Sequence, residues 1–337
     1  MRAGFRPIIG ITMGDAAGIG PEIVCKALSL EEVHRVCRPV VIGDAGVLED
    51  AQGVARTDLR MRPVERVSDA TFALGAMDVL DLHNIDLERL EMGRPQPMAG
   101  KASYEYIAEA VNLALSGETH GITTAPISKE ALHMAGYDYP GHTEILAELT
   151  GTERYAMMFV AGPLKVILAT IHVQLRRACD LIDEEGLLNT FGLAYETMLR
   201  FGVDNPRIAV AGLNPHAGEE GLFGDEELKI IAPAVERARL QGLNIHGPLP
   251  ADTLFYRAKE GDFDIVVAMY HDQGCIPIKL LGFEIGVNIT VGLPITRTSV
   301  DHGTAYRRAG LRLGTGNPSS LVEALKIASQ LSGGSMD

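Results

Sequence analysis

Only four cysteines occur among the 337 residues, Cys25, Cys37, Cys179 and Cys275, and none stands in a C-x-x-C pair. That excludes a disulfide framework and a local thiolate metal site, and it fits free thiols in a reducing cytoplasm. Basic residues are also scarce, since 30 Lys and Arg face 44 Asp and Glu for a formal charge of −14. Such a balance argues against a nucleic-acid surface and against docking on anionic lipid, so no nucleic acid or membrane partner is expected. Long hydrophobic runs are missing as well. The segment from Met1 to Pro7 leads into only a short apolar stretch before Thr12-Met13-Gly14-Asp15, too brief for a signal-peptide core or a membrane span. The longest apolar region, 155–173, is broken by Gly162-Pro163 and by Lys165, and reads as two strands joined by a turn. Internal repeats and low-complexity tracts are absent, and only Ser332-Gly333-Gly334-Ser335 reads as a frayed tail.

What is present alternates between short β-branched runs and helix-length amphipathic segments, the pattern of an α/β protein. Strands are expected at Pro7–Ile11, Pro39–Ile42, Gly121–Thr124, Arg207–Leu213 and Asp264–Met269. Helices are expected to open at Pro21 and to run over Thr143–Thr150, Glu184–Phe201, Asp225–Gln241 and Ser319–Gln330. A further helix over Gly100–Ser116 carries Tyr104, Ile107, Ala108, Val111 and Leu115 on one face. A chain of 337 residues exceeds the size at which one core usually stops growing, so two domains around a cleft are expected.

Three strand-like runs end at a histidine: 166–171 before His172, 208–215 before His216, and 264–269 before Tyr270-His271-Asp272-Gln273-Gly274. Open α/β sheets bind ligands beyond the carboxyl ends of their strands. The spacings of 44 and 55 residues form no local zinc motif, so the three are either ordinary polar residues or ligands of one ion brought together by the fold. His34, His83, His120, His133 and His246 lack this setting and read as structural or exposed. The glycine-rich turn Met13–Glu22 follows a strand and precedes a helix, yet it matches neither G-x-G-x-x-G nor G-x-x-x-x-G-K-[ST]. An ordinary Rossmann or P-loop site is thereby excluded. Pro140-Gly141-His142-Thr143-Glu144 precedes a helix that Thr143 could cap while His142 and the backbone amides face an anion. Downstream of His271, Lys279, Asn288, Arg297, Thr298 and Ser299 collect anion-binding groups in an otherwise acidic chain.

These segments, with Gly212–Glu219, Gly247–Thr253 and Arg297–Ala305, resemble the 4-hydroxythreonine-4-phosphate dehydrogenase family, the PdxA-type enzymes. The resemblance covers nearly the whole chain. It implies a two-domain α/β/α fold like that of isocitrate and isopropylmalate dehydrogenases, with an outer domain from 1–122 plus 262–337 and a central one from 123–261. It implies a homodimer whose metal site, His172, His216 and His271, is shared between subunits. Substrate contacts fall on His142, Thr143, Lys279, Asn288 and Arg297, and the cofactor NAD is expected against His302, Gly303, Thr304 and Ala305. Asp252, Asp301 and Lys279 are candidates for the general base. Ala16 departs from the proline of many members. Cys275-Ile276-Pro277-Ile278-Lys279 with its flanks is closer to the catabolic branch that acts on 4-phospho-D-threonate or 4-phospho-D-erythronate.

The implied chemistry is oxidation of the C3 hydroxyl of a short 4-phosphorylated acid, with hydride passing to NAD, followed by loss of carbon dioxide. Imidazole ligands favour zinc, with cobalt, nickel, manganese or magnesium as alternatives. A cis-dihydrodiol dicarboxylate dehydrogenase uses a similar scaffold, but Asn288 and Arg297-Thr298-Ser299 favour the phosphorylated acid.

Overall fold

The computed structural model describes residues 4–333; Gly334 and Ser335 of the expected tail, and the first three residues, lie outside that range. The chain divides into two compact units, Met1–Glu153 with Leu293–Asp337, and Arg154–Gly292. The sequence places these divisions about thirty residues earlier, at 122/123 and 261/262. They fall later because the helix His142–Thr150 packs on Pro97–Leu115 of the first unit, while residues 265–291 complete the sheet of the second.

In the first unit the strands are β1 (Ile8–Thr12), β2 (Arg38–Gly43), β3 (Arg60–Val64), β4 (Ala76–Asp81) and β5 (Gly121–Thr124). The second contains β6 (Ala156–Ala161), β7 (Leu164–Leu168), β8 (Ile208–Ala211), β9 (Ile245–Leu249), β10 (Ile265–Ala268) and β11 (Val287–Val291). The last strand, β12 (Arg297–Val300), belongs to the first unit.

The first unit's strands lie in the order β3-β4-β2-β1-β5-β12, every pairing parallel. β1 reads Ile-Ile-Gly-Ile-Thr and β5 Gly-Ile-Thr-Thr, and both are buried, as strands with helices on each face must be. Pro21 occupies the first turn of the helix Gly20–Leu28, where its missing N–H costs nothing. That helix also anchors the C-terminal segment. Lys26 Nζ donates to Glu22 Oε1 and to the carbonyls of Gly314 and Gly316, and Gly316 N donates to Glu22 at 2.6 Å.

In the helix Pro97–Leu115 the expected face is kept at Ile107 and Val111 and shifts elsewhere. Ala102, Ser103, Tyr106, Ile107, Ala110 and Val111 are buried, whereas Leu115 is 50% exposed. The seam is set by Gly100, whose lack of a side chain lets the Ala131 backbone approach, so the face rotates toward the helix Lys129–Met134.

The second unit has the order β11-β6-β7-β10-β8-β9. β6 and β7 form the expected antiparallel hairpin across Gly162, and β7, β10, β8 and β9 are parallel. Its core gathers Phe159, Val166, Leu168, Ala211, Leu254, Val266 and Ile278. The helix expected over Asp225–Gln241 is a π-helical turn Glu227–Ile231 followed by an α-helix Ala232–Leu240, with Pro233, which has no N–H to donate, at the join.

Candidate active site

In the second unit, β7 and β10 run parallel and finish side by side, joined by Ala169 N to Ala268 O at 2.8 Å and Thr170 Oγ1 to Met269 O at 2.7 Å. Beyond these ends stand His172 and His271, their ring centroids 5.6 Å apart. His271 opens the helix His271–Gly282, and its Nδ1 lies 2.7 Å from Asp272 Oδ1. A carboxylate on Nδ1 fixes the tautomer that leaves Nε2 for an ion, as metal-binding histidines are commonly arranged. Gln273 ties this corner to the next strand: its Oε1 accepts from Met269 N and its Nε2 donates to Gly212 O, each at 2.7 Å.

Gly212 starts the loop after β8, which carries His216 on a left-handed stretch of backbone and beside Phe223, with ring centroids 6.2 Å apart. Within one chain the three strand-end histidines do not form a single group, and the resemblance expects the ion to be shared between subunits. Among the described residues no three His, Cys, Asp or Glu side chains form a group able to hold an ion. β8 ends at Ala211, and the left-handed turn after it carries His216 out of the His172–His271 pair.

Two turns along the helix from His271, half-buried Lys279 lies over the Phe283 ring at 5.6 Å. Asn288 on β11 has a buried Oδ1 with no hydrogen-bond donor among the described residues. Asp252 is exposed in the first turn of Ala251–Lys259.

The first unit holds the remaining predicted residues. Arg297, 2% exposed, donates from Nη2 to Thr124 Oγ1 at 2.8 Å. Burial pulls its guanidinium down to about 9 while nearby Glu144 opposes the change, so the group stays cationic at neutral pH. His142 lies close enough to feel that charge; burial first and Arg297 second hold its imidazole well below the usual histidine value. It is therefore neutral. One ring nitrogen bonds the Ala125 backbone, and the other, Nε2, is buried with no partner among the described residues. A buried acceptor left unmatched costs about 1–3 kcal/mol unless a ligand supplies its donor.

Thr143 does not cap its helix. The cap position is Gly141, no side chain bonds there, and the buried Thr143 is the second helical residue. The extended backbone at Gly141 puts His142 inside the first turn and leaves the amides of that turn without a side-chain acceptor.

Asp301 N donates to Ser320 Oγ at 3.2 Å, which fixes the start of the following loop. His302 Nδ1 lies 3.0 Å from Gly303 O, and Gly303 is exposed. Thr304 O accepts from Ile19 N at 2.9 Å, and Ala305, left-handed at φ 45°, opens the helix Tyr306–Leu311. The loop is thus laid over the glycine-rich turn 13–20, which is buried throughout. Gly14 at φ +78° would place a Cβ 2.5 Å from Pro126 O, so its glycine serves close backbone packing.

Sequence reasoning missed Asp15 beneath this loop. Fully buried, it accepts from Ala17 N at 2.9 Å and from Tyr306 Oη at 2.7 Å. Burial pushes its carboxyl from 3.8 up to about 6, with both hydrogen bonds opposing the rise. A rise of that size corresponds to about 3 kcal/mol. Because the folded value is raised, the native state holds the proton longer than the unfolded chain. The penalty is absent below about pH 4, grows through pH 6 and is complete above it. An Asp15→Asn variant is therefore expected to gain stability relative to the parent as pH rises, by up to about 3 kcal/mol between pH 4 and 8 in urea unfolding. A difference that does not change with pH would show that Asp15 carries no such penalty.

The second unit thus carries paired imidazoles past parallel strand ends, and the first an enclosed guanidinium beside an unmatched buried acceptor, groups suited to small polar ligands. The chain belongs to the PdxA family, since the model of pyridoxal phosphate biosynthetic protein PdxA matches residues 35–328. It is 51% identical over 329 residues to a D-threonate 4-phosphate dehydrogenase of Cupriavidus necator, covering 97% of this chain and 98% of that protein. To a 4-hydroxythreonine-4-phosphate dehydrogenase of Desulforapulum autotrophicum it is 49% identical over 324 residues, covering 96% and 95%. A crystal structure of the 4-hydroxythreonine-4-phosphate dehydrogenase of Klebsiella pneumoniae superposes with a TM-score of 0.88 at 44% identity, over 97% of this chain and 99% of that one. No helix among the described residues is long and apolar enough to cross a membrane.

Proposed function

We propose that this enzyme oxidises the C3 hydroxyl of D-threonate 4-phosphate, or a close 4-phosphorylated hydroxy acid, with NAD, and that the resulting 3-keto acid loses carbon dioxide. The observation that carries this reading is the 51% identity, across 97% of the chain, to a D-threonate 4-phosphate dehydrogenase. His142, Thr143, Lys279, Asn288 and Arg297 are the proposed substrate contacts. Arg297 is a planar fork, cationic at neutral pH, suited to phosphate or carboxylate oxygens. Neutral His142, with one nitrogen engaged at Ala125, offers Nε2 as an acceptor, so it takes a proton-bearing substrate oxygen and leaves the charged oxygens to Arg297. The orphan Oδ1 of Asn288 likewise asks for a hydroxyl.

The donor set fits a divalent ion, zinc before magnesium, because His172 and His271 are adjacent and Asp272 orients His271. His172, His216 and His271 would hold it, one of them supplied across a homodimer. When bound, such an ion acidifies an alcohol and polarises a ketone. The homodimer is supported by exposed apolar side chains flanking each histidine in sequence, among them Leu175, Leu222, Phe223, Leu280 and Phe283. His302, Gly303, Thr304 and Ala305 would line the NAD site, and Lys279, Asp252 and Asp301 remain the proposed general bases.

The test is NADH formation with 4-phospho-D-threonate, 4-phospho-D-erythronate and 4-phosphohydroxy-L-threonine, each beside its unphosphorylated counterpart. Turnover should require the phosphate and a divalent ion, with the threonate derivative fastest. NADH formation at equal rates from unphosphorylated D-threonate, or undiminished after chelation, would refute the assignment.

A further inference from the structure

Five consecutive residues after β8, His216, Ala217, Gly218, Glu219 and Glu220, have φ of 53°, 53°, 83°, 45° and 54°. Four of them carry a Cβ, and L-residues avoid this region because the Cβ crowds the following carbonyl. A left-handed run persists only where its surroundings over-determine it. Asn214, just before this run, is held by two carboxylates, its Nδ2 donating to Glu226 Oε2 at 2.6 Å, and Glu227 also takes its backbone N–H. Glu227, 2% exposed at the start of the π-helical turn Glu227–Ile231, accepts from Asn214 N at 2.7 Å through Oε1 and from Asn214 Nδ2 at 2.9 Å through Oε2. A Cβ on Gly218 would stand 2.8 Å from Oε2, and one on Gly212 would meet Ala217 at 2.8 Å and then Oε1 at 3.2 Å. The carboxylate therefore occupies the hollow that the two glycines leave inside the loop. No ion pair to Glu227 occurs among the described residues. Among the described residues the enclosed carboxylate is held by the Asn214 donors.

We propose that Glu227 is a positioning residue for His216: by clasping Asn214 and filling the hollow of Gly212 and Gly218, it holds the left-handed run in the one conformation that presents the His216 imidazole to a divalent ion. The inference rests on the metal-ligand reading of His216 given above. Its logic is that of supporting residues around metal ligands, whose loss weakens binding without removing a ligand. Glutamine at 227 keeps the size but turns an N–H₂ group toward one of the two Asn214 donors, so one bond is lost and one contact becomes repulsive.

The experiment is Co²⁺ binding to the metal-stripped full-length protein, followed by visible d–d absorption and by calorimetry. It compares the parent, Glu227→Gln, Gly218→Ala and His216→Ala, with far-ultraviolet circular dichroism and Tm recorded for each metal-free form. Glu227→Gln should bind Co²⁺ about 10- to 100-fold more weakly than the parent. Gly218→Ala, which displaces the same carboxylate, should fall in the same range and serves if Glu227→Gln does not fold. A variant carrying both Glu227→Gln and Gly218→Ala should lose little more than either single one, because both act on one contact. Parent-like Co²⁺ affinity in a folded Glu227→Gln or Gly218→Ala, alongside loss in His216→Ala, overturns the role of Glu227 and leaves the ligand assignment standing. Unchanged affinity in His216→Ala, or no Co²⁺ bound by the parent, overturns the ligand reading and this inference with it.

Discussion

An enzyme with His271 replaced by alanine is expected to lose bound metal and to slow by on the order of 10³-fold or more, while remaining folded. Lewis-acid stabilisation is worth several kcal/mol, and each 1.4 kcal/mol is a factor of ten in rate. His271 is suited to this role because Asp272 holds its Nδ1 and His172 faces it from the end of the neighbouring strand. The fold should survive because the imidazole is partly exposed at the helix start, and the corner is tied by Gln273 to Met269 and Gly212. The measurements are metal content by plasma emission, NADH formation at saturating substrate, and Tm. Parent-level turnover in the folded variant would remove His271 from the ligand set.

Replacing Arg297 by methionine should lower kcat/KM by on the order of 10²–10³-fold, mostly through KM. Truncating one partner of an enclosed, hydrogen-bonded charge pair costs about 2–5 kcal/mol, and the phosphorylated acid is the proposed partner. Lysine at this position keeps the charge but loses the planar fork, so Arg297→Lys should still raise KM by about 10-fold or more. Arg297→Met loses the bond to Thr124 Oγ1 but also removes the burial cost of the charge, so the two effects on global stability oppose each other. An unchanged KM for the phosphorylated substrate in both variants would show that Arg297 serves the fold and not the ligand.

Much of this site is legible in one dimension because it is local. The β-branched run of β10 has a strand's length and composition, and the polar Tyr270-His271-Asp272 follows it directly, so placing His271 just past a strand requires only the short-range pattern. The same holds for β5 and for the hairpin of β6 and β7, whose turn is announced by Gly162 and Pro163. Where a neighbour decided the outcome, local reasoning missed. The buried face of Pro97–Leu115 was turned by Gly100 meeting Ala131, and both residues look unremarkable in isolation. Thr143 carries the chemistry of a cap, but the backbone breaks at Gly141, two residues too early for it to serve. Asp15 sits in a glycine-rich turn and gives no sign that Tyr306, 291 residues away, closes over it.

The sequence by itself determined the α/β class, the three strand-end histidines, the acidic charge balance and the membership that the PdxA match records. Those properties reside in residue identity and short-range periodicity. Only the tertiary structure decided which groups face one another: His172 with His271, Arg297 with Thr124, and Glu227 with Asn214. It likewise decided that the imidazole of His142 is neutral and the carboxyl of Asp15 holds its proton to about pH 6. Each depends on removal from water and on charges brought close by chain distant in sequence, and burial of that kind has no one-dimensional signature.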